Sequence, residues 1–318
     1  MLLRLASFAL ALIAGPALGQ NWPTKPVHLI VPAPAGTAPD IITRLMADKL
    51  VPLWGKQVIV ENRPGAGGNV AMNAFVRAEK DGYTFASVMA TVVTLTPHLF
   101  KDLQYNVDTD VVAVATIGTS PMMVAVNPRL GVSSLAEFVK LAKRQPEKIN
   151  FAPPLLNSVP HLAGEMLSNA AGIKLYPIAY NGSVPAVTAT MTGESQITID
   201  GLPPLVPFVK AGKLKAIAVT SSKRLPGYED LPTLSETYPG LVAIGWFSLL
   251  AQSGTPPALI EKVNKDVNQV IQLPEIVARF AELGVYPEPG SPKAAAEFIK
   301  SERELWARVV REAGIKPQ

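Results

Sequence analysis

Strand-like and helix-like signals alternate almost from end to end of this 318-residue chain, and that rhythm restricts the fold more than any single motif does. The runs "VHLIV" (27–31) and "QVIVEN" (57–62) are short, β-branched and bounded by Pro, Gly or Asn, which reads as buried strand. Between them, "IITRLMADKLVPLW" sets Ile41, Ile42, Leu45, Met46, Leu50 and Leu53 on one helical face. A second strand-to-helix passage follows in "VIVENRPGAGGNVAMNAFVRA", and "DGYTFASVMA" turns into a third strand. The pattern is βαβαβ, which predicts a parallel sheet with helices on both faces.

A second series starts near "VVAVATIGTSPMMVAVN". Its helix "SSLAEFVKLAKRQ" opens on Ser134 and Glu137 at capping-box spacing. "INFAPPLLNSVPHLAGEMLSNAAG" reads as strand, loop and helix, with Gly172 closing the helix. The alternation continues to "AIGWFSLLAQ", and the C-terminal part is helical, with Trp306 and Val309 expected in the core or between domains. The expected class is α/β: two doubly wound, Rossmann-like domains with a ligand cleft between them.

The N-terminal "MLLRLASFALALIAGPALGQ" combines Arg4, an apolar run from Leu5 to Ile13, and small residues at Ala17 and Gly19. That run is shorter than the ~20 residues a bilayer requires, so residues 1–19 are expected to be a cleaved secretory leader. The product is expected to be an exported, periplasmic monomer. No Cys is present, which removes disulfides, thiolate nucleophiles and a lipoprotein anchor. His28, His98 and His161 are scattered without metal-ligand spacing, so neither metal nor cofactor is expected. Loss of Arg4 leaves 28 basic against 25 acidic residues, and no basic run carries interleaved aromatics. A nucleic-acid partner is therefore not expected.

Enzyme signatures are largely absent: there is no GxSxG elbow and no phosphate-binding GxxxxGK[ST] loop. The string Gly65-Ala66-Gly67-Gly68 lacks the third Gly of a dinucleotide fingerprint. Ser158, His161 and Asp200 could be drawn as a hydrolytic set, but Ser158 sits where a helix cap belongs. The loop "VPAPAGTAPD" (31–40) offers better chemistry. Thr37 and Asp40 have capping-box spacing, and a helix start facing a cleft presents free N–H groups and partial positive charge. A small carboxylate fits there without a cationic side chain. "GAGGN" (65–69) and "NGS" (181–183) repeat the device.

These segments, read in order, resemble one family. "WPTKPVHLIVPAPAGTAPD", "VIVENRPGAGGNVA", "DGYTF", "HLAGEML", "YNGSVPAVTATMTGE", "AGKLKAIAVTSSKR", "LPTLSE" and "GTPPALIEKVN" are similar to the Bug/TctC family, the periplasmic solute receptors of tripartite tricarboxylate transporters. The resemblance runs from Trp22 to "WARVVREAGIK". It implies a flytrap of periplasmic-binding-protein type II, with domain 1 at 21–122 plus 246–318 and domain 2 at 123–245. The C-terminal helices would return to the first domain. It also implies a non-catalytic receptor that delivers a small carboxylate to transmembrane transporter subunits. A periplasmic co-receptor for a signalling system is the alternative, and a hydrolase a weaker one.

Carried over by position, ligand contacts would come from Ala33, Ala35, Gly36, Thr37, Ala38, Pro39 and Asp40, and from Pro153, Pro154, Leu155, Asn157 and Ser158. Thr91 and Asp200 are further candidates. The family's first loop resembles "PFAAGGxTD"; here Ala33 replaces a large aromatic, which is expected to widen the cleft, and Pro39 removes a hydroxyl and a backbone donor. The second loop exchanges Ser and Gly for "APPLLNS". These departures point to a carboxylate with an aromatic or long-chain body, unless Leu155 and Leu156 turn into the core.

Overall fold

The computed structural model describes residues 22–146, 148–156, 158–312 and 314; the expected leader and Asn157 lie outside them. The first series folds as β1 (Val27–Val31), α1 (Ala38–Trp54), β2 (Val58–Asn62), α2 (Asn69–Arg77) and β3 (Thr84–Met89). β1 lies between β2 and β3 and is parallel to both, as the alternation predicts. Two short helices, α3 (Ala90–Thr94) and α4 (Thr96–Leu99), lead to β4 (Val111–Val126). The second series is α5 (Leu135–Arg144), β5 (Asn150–Phe151), α6 (Val159–Ala171), β6 (Tyr176–Pro177), α7 (Ser183–Thr192), β7 (Ile197–Gly201), α8 (Leu202–Lys210), β8 (Lys215–Val219) and α9 (Leu234–Thr237). The chain returns through β9 (Ile244–Gln252), α10 (Pro257–Ile271), α11 (Pro274–Glu282), β10 (Tyr286–Pro287) and α12 (Pro292–Glu312).

The segment 111–126, read as the start of the second series, is one long strand serving two sheets. Its first part, Val111–Pro121, pairs antiparallel with β9, which in turn pairs with β3. Its last part, Met122–Val126, pairs antiparallel with β7 and β8. The strand order β2-β1-β3-β9-β4-β7-β5-β6 therefore crosses from the first sheet to the second within β4. The expected parallel order holds for β1–β3, and the shared strands add antiparallel pairs that local periodicity does not encode.

Alternation along β4 sorts its side chains between two cores. Met122, Val124 and Val126 join Phe138, Leu162, Ile197 and Trp306 on one face, while Met123 and Ala125 join Val187, Leu205 and Val219 on the other. The first sheet is covered by α1 and α10 on one side, through Ile42, Met46, Leu50, Val263 and Val267. Ile30, Met72, Phe75, Trp246 and Ile299 fill its other side.

Two packing expectations change. On α1, Leu53 is 43% exposed and Trp54, four residues after Leu50, is the buried member of the face. β2 is half-buried throughout rather than buried, because it is the sheet's edge strand. The C-terminal helix also departs from a simple return. Ala295 and Ile299 of α12 pack in the first sheet's core, but Trp306, Val309 and Val310 pack in the second's. Between them Glu302 is buried, its Oε2 accepting from Trp246 Nε1 at 3.0 Å and from Trp306 Nε1 at 3.1 Å. Burial pushes its pKa up, only partly offset by the two indoles.

Candidate functional site

Parallel pairing puts the ends of β1 and β3 at the same end of the first sheet, and with them the 33–40 segment and Thr91 in the first turn of α3. The loop after β5, carrying 152–156 and Ser158, and the end of β7, carrying Asp200, lie at one end of the second sheet for the same reason. Strand register brings these ends toward one another. Met89, the last residue of β3, pairs with Phe247, which pairs with Gly118 of β4; Gly201, the last of β7, pairs with Met122. Four residues of one strand separate the two levels, about 13 Å at the rise of an extended chain.

The first loop is held open by an internal network rather than by a helix cap. Gly36 has φ 80°, a conformation that favours Gly, and its N–H donates to Asp40 Oδ2 at 2.8 Å. Asp40 Oδ1 accepts from Arg44 Nε at 2.9 Å and from Asn62 Nδ2 at 2.8 Å. The same Asn62 Nδ2 donates to Ala33 O at 3.0 Å, and Arg44 Nη2 donates to Asn62 Oδ1 at 2.8 Å. Burial alone would push the Asp40 pKa up, but bonds from Arg44, Gly36 N–H and Asn62, together with the Arg44 charge, bring it below its ordinary value.

The predicted capping box of Thr37 and Asp40 does not form. Thr37 Oγ1 donates to Pro34 O at 2.7 Å, and Asp40 serves Gly36 instead of the Thr37 N–H. No side chain caps α1, and Pro39 in its first turn has no N–H, so Ala38 and Asp40 carry the uncapped first-turn amides. Asp40 is buried with both oxygens engaged and acts as the loop's internal anchor. Ala33 is 3% exposed, so its small side chain does not widen open space. Pro34, Ala35 and Gly36 are exposed, whereas Thr37, Ala38, Pro39 and Thr91 are half-buried. The Gly65–Gly68 turn packs against the neighbouring helices: a Cβ on Gly68 would lie 2.7 Å from Val92, and Thr96 Oγ1 donates to Gly67 O at 2.7 Å.

In the second half Pro153 and Pro154 are buried, and Gly182 N–H donates to Pro154 O at 2.7 Å, tying this loop to the start of α7. Leu155 is 56% exposed and Leu156 39%, so neither belongs to the core. Val184, in the first turn of α7, is 78% exposed. Ser158 caps α6, accepting from His161 N–H, and donates its hydroxyl to Leu155 O at 2.5 Å. His161 is buried, stacks on Phe151 and lies 3.7 Å from Glu165 Oε1; burial lowers its pKa. The hydroxyl of Ser158 is thus committed to cap and loop, not to a base.

α7 and α8 start without a side-chain cap, at Gly182 and Gly201. Asp200 sits where they meet, at the end of β7, and its Oδ1 accepts from Gly201 N–H at 2.7 Å. It is 7% exposed, and its Oδ2 has no hydrogen-bond partner among the described residues. Burial pushes its pKa up, with Ser183 and the Gly201 N–H only partly opposing. Among the described residues no group of three or more His, Asp or Glu is arranged to hold a metal. A cavity of about 520 Å³ lies at the opposite edge of β4, between the 221–226 loop and α12, and contains none of the expected site residues.

Residues 42–315 match the family described as the tripartite tricarboxylate transporter family receptor. BugT of Bordetella pertussis is 34% identical over 310 residues, covering 97% of this chain and 95% of its own. Among solved structures, R. palustris Rpa4515 with adipate has a TM-score of 0.78 at 30% identity, covering 93% of this chain and 100% of that one. MatC from Rhodopseudomonas palustris with bound malate has a TM-score of 0.72 at 26% identity, covering 91% of this chain and 100% of that one. The fold is that of type II periplasmic binding proteins. This chain belongs to the TctC/Bug family of periplasmic solute-binding receptors, and it is a binding protein rather than an enzyme.

Proposed function

We propose that this receptor captures a small carboxylate with a substantial apolar or aromatic body and delivers it to transmembrane transporter subunits. The carboxylate would lie against the starts of α1, α7 and α8, whose first-turn amides no side chain caps. Two relatives are described with carboxylates, one with adipate and one with malate, which supports that class of ligand. The two lobes would be 21–122 with 246–318, and 123–245, closing over the ligand.

The observation that carries the apolar half of this reading is the exposure of Leu155 and Leu156 on the loop before α6 and of Val184 in the first turn of α7, two segments joined by the Gly182–Pro154 hydrogen bond. Large apolar side chains grouped around a polar cradle are what an amphipathic acid would cover. The test is a thermal-shift panel. Adipate, longer aliphatic acids and aromatic acids are expected to raise the melting temperature, and citrate is not. Stabilisation by citrate without any by the apolar acids would reject the reading.

A further inference from the structure

Asp200 combines three properties that a purely structural aspartate does not need together. It is nine-tenths buried, one of its carboxyl oxygens has no hydrogen-bond partner among the described residues, and it lies between the uncapped starts of two helices, α7 and α8. An ionised carboxylate there would compete with any bound anion for the same partial positive charge. A neutral carboxylic acid would not, and it carries an O–H able to donate to an oxygen that accepts.

We propose that Asp200 is a specificity-determining residue of this site: its unpartnered oxygen shares the starts of α7 and α8 with the bound anion, and anion binding there is coupled to the uptake of one proton. The inference rests on the carboxylate-receptor reading. The coupling is reciprocal: a proton on Asp200 strengthens anion binding, and a bound anion strengthens the hold on that proton. Loading then weakens as the surroundings become alkaline, and ligands that bring a cation to this spot are disfavoured.

The surroundings narrow what else could titrate. β4, β5 and α7, packed on β7, contribute no ionisable side chain. α8 contributes only Lys210, at its far end, and α6 contributes His161 and Glu165. Burial and hydrogen bonds alone shift Asp200, with no charged neighbour contributing. Burial also lowers the pKa of His161 and raises that of Glu165. The nearby loop adds Tyr180, bonded to Glu194 and pushed further above its ordinary value.

The experiment is calorimetric titration of the intact protein with adipate and with hexanoate from about pH 6, where both acids are largely ionised, to about pH 8.5. Two buffers of different ionisation enthalpy report the protons taken up. The expected result is net proton uptake, with affinity falling by up to about tenfold per pH unit above the point where free Asp200 ionises. Asp200→Asn, which keeps a neutral donor, is expected to bind with an affinity that no longer changes with pH. Wild-type binding without proton uptake overturns the proposal and needs no variant. So does an unchanged pH profile in Asp200→Asn, which would assign the proton to His161 or Glu165. Failure of both acids to bind at every pH overturns the carboxylate-receptor reading itself, and this proposal with it.

Discussion

Two buried aspartates, one at the start of each half of the candidate site, have opposite surroundings. Asp40 spends both oxygens on Gly36, Arg44 and Asn62, and its pKa is lowered. Asp200 leaves one oxygen without a hydrogen-bond partner among the described residues, and its pKa is raised. Burial raises both, more strongly at the more deeply enclosed Asp200, and only Asp40 has donors such as Arg44 and Asn62 that outweigh it. A buried carboxylate with a full set of donors holds a loop in shape, whereas one with an incomplete set is favoured toward its neutral form. One sequence letter therefore stands for a scaffold in one half and for a carboxyl group of raised pKa in the other.

The largest expected effect is at Asp40. Asp40→Ala would leave the Gly36 N–H, Arg44 and Asn62 without their shared acceptor and is expected to cost about 2–4 kcal/mol, read by urea unfolding. A loss below about 1 kcal/mol would remove Asp40 from its role as anchor. Asn62→Ala is next, at about 1–2 kcal/mol, with weaker ligand binding because Ala33 and Asp40 both lose a tether. Unchanged affinity in that variant would show that the network supports stability only. Leu155→Ala is expected to leave stability within about 0.5 kcal/mol and to lower affinity for an apolar acid about fivefold. A large loss of stability there would mean that the exposed leucine supports the fold.

The smallest effect separates the aspartates by pH. The stability that Asp40 contributes is present above its ordinary 3.8 and is lost as pH falls through its lower folded value. Asp200 has the opposite sign: with the folded value raised, its ionisation removes stability as pH rises from 3.8 through that value. Asp200→Asn should therefore melt at or above the parent temperature at pH 8 and lose that advantage as pH falls toward 3.8. A lower melting temperature at pH 8 would contradict the assignment.

Much of the fold was readable because it is local. The strands and helices of the first series follow from periodicity and from Pro, Gly and Asn boundaries. Helix caps were readable in part. Ser134 accepts from Glu137 N–H as spaced, but Glu137 turns its carboxylate to Ser133 instead of completing the box. The complete capping box, Thr233 with Glu236, lies in "LPTLSE", whose short four-residue helix carries too little periodicity to announce itself. β4 was harder because its halves belong to different sheets, and antiparallel partners such as β9 come from far along the chain.

The location of the site was legible in the strand-to-helix loops, but its wiring was not. Asn62 reaches Asp40 only because the β1–β2 register sets Val31 opposite Asn62, a pairing that no short motif encodes. Arg44 did leave a signal, four residues after Asp40 on the same helix, where such pairs meet. Ala33 shows the limit of reading pocket size from one substitution, since its methyl is buried and the exposed apolar surface lies on Leu155, Leu156 and Val184.

The most direct test of the central claim, that helix starts grip a carboxylate, is calorimetric titration of the purified protein with adipate and with its diamide. The two share a carbon chain and differ in charge at the ends. Binding of adipate with no measurable binding of the diamide is the predicted result; equal binding of both, or of neither, would contradict the account.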